Sequence, residues 1–118
     1  MDINFKKMTY KEFYSIVNKI TISSFKTELT IHNTNNKELY VRLKWYCSFI
    51  YFIIKQNHLL RISDFKPVVV NNKYLEQDAN MIIQVFNSIY SVLNDIYSYV
   101  TIMDISNFCD KIESDIKI

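Results

Sequence analysis

Phe25-Lys26-Thr27-Glu28-Leu29-Thr30-Ile31-His32, then Asn33-Thr34-Asn35-Asn36, then Lys37-Glu38-Leu39-Tyr40-Val41-Arg42-Leu43-Lys44-Trp45-Tyr46 reads in two ways, and the choice sets the fold class. As strands, Phe25, Thr27, Leu29 and Ile31 alternate with more polar neighbours. The asparagine-rich segment turns the chain, and Leu39, Val41, Leu43 and Trp45 alternate on the way back, which is a hairpin pattern. As a helix, residues 37–57 place Leu39, Leu43, Tyr46, Ile50 and Ile53 on one stripe. Asn36 then serves as cap, Glu38 and Arg42 pair four residues apart, and Lys55 lies in the last turn. Length favours the helix: residues 38–54 run for 17 positions without a turn residue, whereas a strand usually has about 5–6. The expected fold is therefore mainly α, a single small domain of about four helices covering residues 1–118. The alternative is α+β, with a hairpin at 25–46 packed on the helices.

Downstream lies the clearest period. Leu75, Ala79, Ile82, Phe86, Ile89, Leu93, Ile96 and Val100 step by four and three, which predicts one long helix over 74–100. Asn72 is placed to cap it, with Glu76 and Asp78 in its first turns. A further helix over 104–116, capped by Asp104, carries Ile105, Phe108, Cys109, Ile112 and Ile116 on one face and is expected to fold back on the long one. Upstream, Thr9-Tyr10-Lys11-Glu12 has the form of a capping box, and Tyr10, Phe13, Ile16, Val17 and Ile20 predict a helix over 9–20. Ser63 to Pro67 reads as a loop, and Val68-Val69-Val70 as a short extended piece.

The chain contains no glycine, where ordinary usage of about 7% would supply roughly eight. Phosphate cradles and dinucleotide fingerprints need backbone free of a Cβ, so both are excluded. The scarcity of alanine and proline and the wealth of Ile, Lys, Asn, Tyr and Phe match AT-biased coding, as in a virus, phage or mobile element or an AT-rich bacterium or parasite. Asparagine is the expected substitute wherever a turn needs a left-handed residue.

The longest apolar run, Trp45 to Ile54, is closed by Lys44 and Lys55 and is about half a membrane span, so it reads as core. No secretory signal is apparent behind Met1. Cys47 and Cys109 both fall where packing predicts burial, which points to reduced thiols and an intracellular, cytoplasmic location.

Catalytic chemistry finds little support. His32 and His58 have no Cys, His, Asp or Glu at ligand spacing, so no metal is expected. Cys47 with His58, or Cys109 with His32, would be nucleophile and base only if the thiols were exposed, since burial raises a thiol's pKa. Carboxylates such as Asp110, Glu113 and Asp115 look like a solvated helix face. The expectation is a protein that is not an enzyme and carries no cofactor.

Charge is unevenly spread. Residues 1–73 hold ten Lys and two Arg against five acids, a net of +7, while residues 74–118 hold two Lys against seven acids, a net of −5. The basic half suggests a nucleic-acid surface built from Lys6, Lys7, Lys11, Lys19, Arg42, Lys44, Lys55 and Arg61. The long helix suggests another surface: Met81, Ile83, Tyr90 and Tyr97 lie off its main stripe and widen its apolar face. Tyrosine, of which the chain has nine, favours such interfaces. The leading expectation is a non-catalytic protein–protein interaction module that binds and inhibits a cellular factor such as a defence protein. That surface could equally form a homodimer, and a small nucleic-acid-binding protein is the alternative.

Overall fold

Residues 25–46 are helical on both sides of a three-residue break, and the hairpin alternative is overturned. The computed structural model describes residues 5–72 and 76–116. Among these it has five helices and no strand: α1 (Tyr10–His32), α2 (Asn36–Gln56), α3 (Phe65–Asn71), α4 (Ala79–Ile96) and α5 (Ile102–Asp115). Single 3₁₀ turns at Phe5–Lys7 and Ile62–Asp64 complete the order.

The capping box reads true. Thr9 accepts the Glu12 amide, the Glu12 carboxylate accepts the Thr9 amide, and α1 starts there. It runs for 23 residues, well past the expected end at 20. The alternation at 25–31 concealed a continuing helical stripe: Thr21, Ser24 and Phe25 are buried and Leu29 packs partly on the core, while Ile31 is exposed. Strand propensity is a weak prior that such tertiary burial overrides. A kink at Phe25 (φ −115°, ψ 23°) marks the join. Two bonds flank it: the Thr21 hydroxyl donates back to the Val17 carbonyl at 2.8 Å, and Gln84 of α4 donates to the Ser24 carbonyl at 3.1 Å, the kind of inserted side-chain bond that bends helices. Asn33 then ends α1 in the left-handed region (φ 47°), the role expected of asparagine in a chain without glycine.

Asn35, one residue before the expected cap, accepts the Glu38 amide at 2.9 Å and opens α2. Leu39, Leu43, Cys47, Ile50, Ile53 and Ile54 form its buried face. Burying each such aliphatic side chain contributes about 1.5–3 kcal/mol before entropy is counted. Arg42 does not pair with Glu38; it reaches across to Glu28 of α1.

The segment read as loop and extended piece is helical. Phe65 starts α3, Pro67 sits in its first turn where a missing amide costs nothing, and Val69 is buried. Asn72 closes α3 by donating its amide to the Val69 carbonyl and does not cap the next helix. Residues 73–75, including Leu75, lie outside the described residues. The expected helix over 74–100 is shorter: residues 76–78 form a turn, and α4 spans 18 residues. Tyr97 becomes extended, Val100 tucks into the core from the connection, and Thr101 caps α5. Asp104, the expected cap, is the third residue of the helix and closes the capping box that Thr101 opens, buried and accepting from the Thr101 amide at 2.7 Å.

α2 is the central element. It packs most extensively on α5 and also on α4, while α4 is covered on its other side by α1. The last helix meets the long helix, as expected, but only lightly, and its main packing is on α2. One core joins all five helices, with Phe65 stacked on Phe86 at 3.9 Å and Phe108 set between Phe5 and Phe13.

Candidate interaction surface

The thiols bear on catalysis. Cys47 and Cys109 are both buried and free. Burial pushes the Cys109 thiol up, and a hydrogen bond to Cys47 adds to the effect, so the proton is held where a nucleophile must lose it. The two sulfurs face each other between α2 and α5 and not the histidines; His32 and His58 are exposed. His58 and Glu113 line an open groove with Tyr51, Phe52 and Lys55 at the end of α2. Among the described residues no group of three or more His, Cys, Asp or Glu is placed to hold a metal ion. Likewise, no described helix is long and apolar enough to cross a membrane.

Met81, Ile83, Tyr90 and Tyr97 on and beside α4 are all partly buried and packed against the core. Val85 and Val92, which add to the apolar breadth of this helix, are buried outright. The breadth thus follows from four neighbours, α1, α2, α3 and, more lightly, α5. Burial also raises the Tyr97 hydroxyl pKa, with the Glu12 carboxylate adding to it.

The basic residues divide. Arg42 is paired with Glu28, and Arg61 with Asp64 at 3.1 Å, so both guanidinium forks are engaged within the fold. Lys44 donates to the Ile116 carbonyl at 3.4 Å, and Lys55 lies 5.5 Å over the Tyr51 ring. Lys11 and Lys19 line one groove of α1 together with Glu12 and Tyr97. Lys7 is exposed nearby in sequence, and the Lys6 side chain lies outside the described residues.

Exposed apolar side chains occur on several helices, and on α2 they line up opposite its buried face. Val41, Trp45 and Phe52 are 47%, 46% and 50% exposed on a helix whose inner residues are at most 3% exposed. Trp45 is held in place by edge contacts with Tyr46 and Phe49, ring centroids 4.8 and 4.7 Å away. Trp45, Ser48, Phe49 and Phe52 line a shallow, open and almost wholly apolar groove of about 340 Å³. The expectation of core over residues 45–54 misses this surface, because an apolar run does not say which of its residues face inward. The signal was present: once 37–57 is accepted as a helix, residues 41, 45, 48 and 52 fall on a second stripe at steps of four, three and four.

Comparison with family models, with curated proteins and with solved structures finds no match to this chain.

Proposed function

We propose that this chain is a non-catalytic protein–protein interaction module whose docking face is the outer side of α2. One observation carries the reading: Val41, Trp45 and Phe52 stand about half exposed in a row on the helix that is central to the core. A rigid, aromatic, low-entropy surface on a well-packed helix is what an apolar partner helix recognises. Size and AT-biased composition are those of a viral, phage or mobile-element product. The proposed setting is the cell interior, where the chain binds and inhibits a cellular factor such as a defence protein. The two buried free thiols support that location.

A nucleic-acid role is the second reading, favoured by Lys11 and Lys19 on one groove beside Tyr97. Salt separates the two. Titration of labelled single- and double-stranded oligonucleotides at low and moderate salt should show no binding. Affinity purification should recover a specific protein, and Phe52→Asp should abolish its recovery while a Lys11→Ala, Lys19→Ala double variant retains it. Oligonucleotide binding that falls steeply with salt, as phosphate contacts dictate, would reverse the order of the two readings.

A further inference from the structure

The outer face of α2 extends beyond its apolar residues in both directions at coiled-coil spacing. Glu38, Val41, Trp45, Ser48, Phe52 and Lys55 follow one another by steps of three, four, three, four and three. A heptad seam has this spacing, and it lies directly opposite the buried face of the helix. None of the six is buried: Glu38, Val41, Trp45, Phe52 and Lys55 are exposed and Ser48 is half-buried. An acid in the first turn and a base in the last close the seam at its two ends.

We propose that the occupant of this seam is the α2 of a second copy, packed antiparallel about a two-fold axis. The inference rests on reading the α2 face as a docking surface and assigns a second copy to it in the free protein, so that a cellular factor engages the face by displacing that copy. Its basis is that the seam is complementary to its own reversal. When one α2 is laid against another in the opposite direction, Glu38 meets Lys55, Val41 meets Phe52 and Trp45 meets Ser48, each pair occurring twice by symmetry. The largest side chain of the seam faces its smallest, and the groove of about 340 Å³ bounded by Trp45, Ser48, Phe49 and Phe52 receives the partner's indole. Opposite charges meet at both ends.

A parallel arrangement has none of these properties. It sets Trp45 on Trp45, Glu38 on Glu38 and Lys55 on Lys55, leaving like charges at both ends. The antiparallel pairing is also isologous, so it closes at two copies. The indole is already oriented by Tyr46 and Phe49, which lowers the ordering cost of association. Arg42 and Lys44, which flank the seam, are held by Glu28 and by the Ile116 carbonyl of their own chain.

Trp45 is the single tryptophan of the chain and reports on its own burial. Sedimentation of the full chain across the micromolar range should reach twice the 14.2 kDa chain mass, with a blue shift of tryptophan emission over the same concentrations. Phe52→Asp should stay monomeric with an unchanged helical spectrum. Glu38→Lys and Lys55→Glu, each alone, should associate at least tenfold more weakly than the unaltered chain. Mixed in equal amounts, these two variants should regain association, because each pairing across the seam is again between opposite charges. A chain that stays monomeric with unmoved emission overturns the second-copy inference and leaves the docking face itself to the Phe52→Asp purification. Association that survives Phe52→Asp, or that ignores the single charge reversals, overturns the antiparallel seam.

Discussion

α4 and α2 are both broadly apolar helices, and the fold treats them differently. α4 lies against α1, α2, α3 and, more lightly, α5, and its off-stripe residues Met81, Ile83 and Tyr90 are drawn against the core. α2 also touches the four other helices and more of the protein in total, yet Val41, Trp45 and Phe52 stand out on the side opposite its buried face. The breadth of an apolar band therefore reflects covered side chains in one helix and an unfilled position in the other. Only the arrangement of the other helices distinguishes the two cases.

Substitutions on the two helices turn this contrast into measurements. Phe86→Ala on α4 removes a ring stacked on Phe65 and should cost about 3–5 kcal/mol, lowering the melting temperature by more than about 10 °C. Tyr90→Asp forces a charge onto the partly buried flank of α4 and should cost about 1–3 kcal/mol in urea unfolding. A Tyr90→Asp chain as stable as the parent would restore α4 as an open surface and break the comparison. Between the helices, Thr101→Ala removes the cap of α5 and one partner of buried Asp104, and should cost about 1–2 kcal/mol in the same assay.

On the outer side of α2, Trp45→Ala should stay within about 0.5 kcal/mol of the parent when melted at concentrations too low for association. A loss comparable to Phe86→Ala would show that the stripe belongs to the core of one chain.

Alkaline pH tests the inner side of α2. The Cys109 proton is held more tightly in the fold than in the unfolded chain. Its contribution to stability is therefore whole below the ordinary thiol pKa of about 8.5 and is lost as pH rises from there through the folded value. Melts from pH 7 to 10.5 should decline above that point, with Tyr46 and Tyr97, both raised chiefly by burial, extending the decline past pH 10. At pH 8 a thiol reagent should leave the folded chain unmodified and label both cysteines after unfolding. Rapid labelling of the folded chain would mean that the α2–α5 contact opens.

Much of the fold was legible because it depends on local chemistry. The Thr9–Glu12 capping box, the length of residues 38–54 and the stripe Ile82, Phe86, Ile89, Leu93 each encode a helix through spacing alone. Legibility failed where two patterns share the same letters. The alternation at 25–31 hid the second half of α1, and Asp104 looked like a cap when its neighbour Thr101 held that role. The surface was less legible still. Tyr90 and Tyr97 were natural candidates by position, but position on a helix does not say which neighbours arrive.

What the amino-acid sequence determined by itself is the exclusion of glycine-dependent ligand loops, the helical character of most of the chain and, although Tyr10 and Ile96 on the expected inward stripes are exposed, the identity of most inward residues, including both cysteines. These follow from backbone sterics and from the period of apolar side chains, and both are properties of the chain taken a few turns at a time. The tertiary structure decided that α5 packs on α2, that both arginines are engaged by Glu28 and Asp64, and that the open apolar face belongs to α2 and not to α4. Those outcomes depend on which of several apolar faces meet when the helices condense around one core. The choice is made by the summed burial of side chains distant in sequence, which no local spacing records.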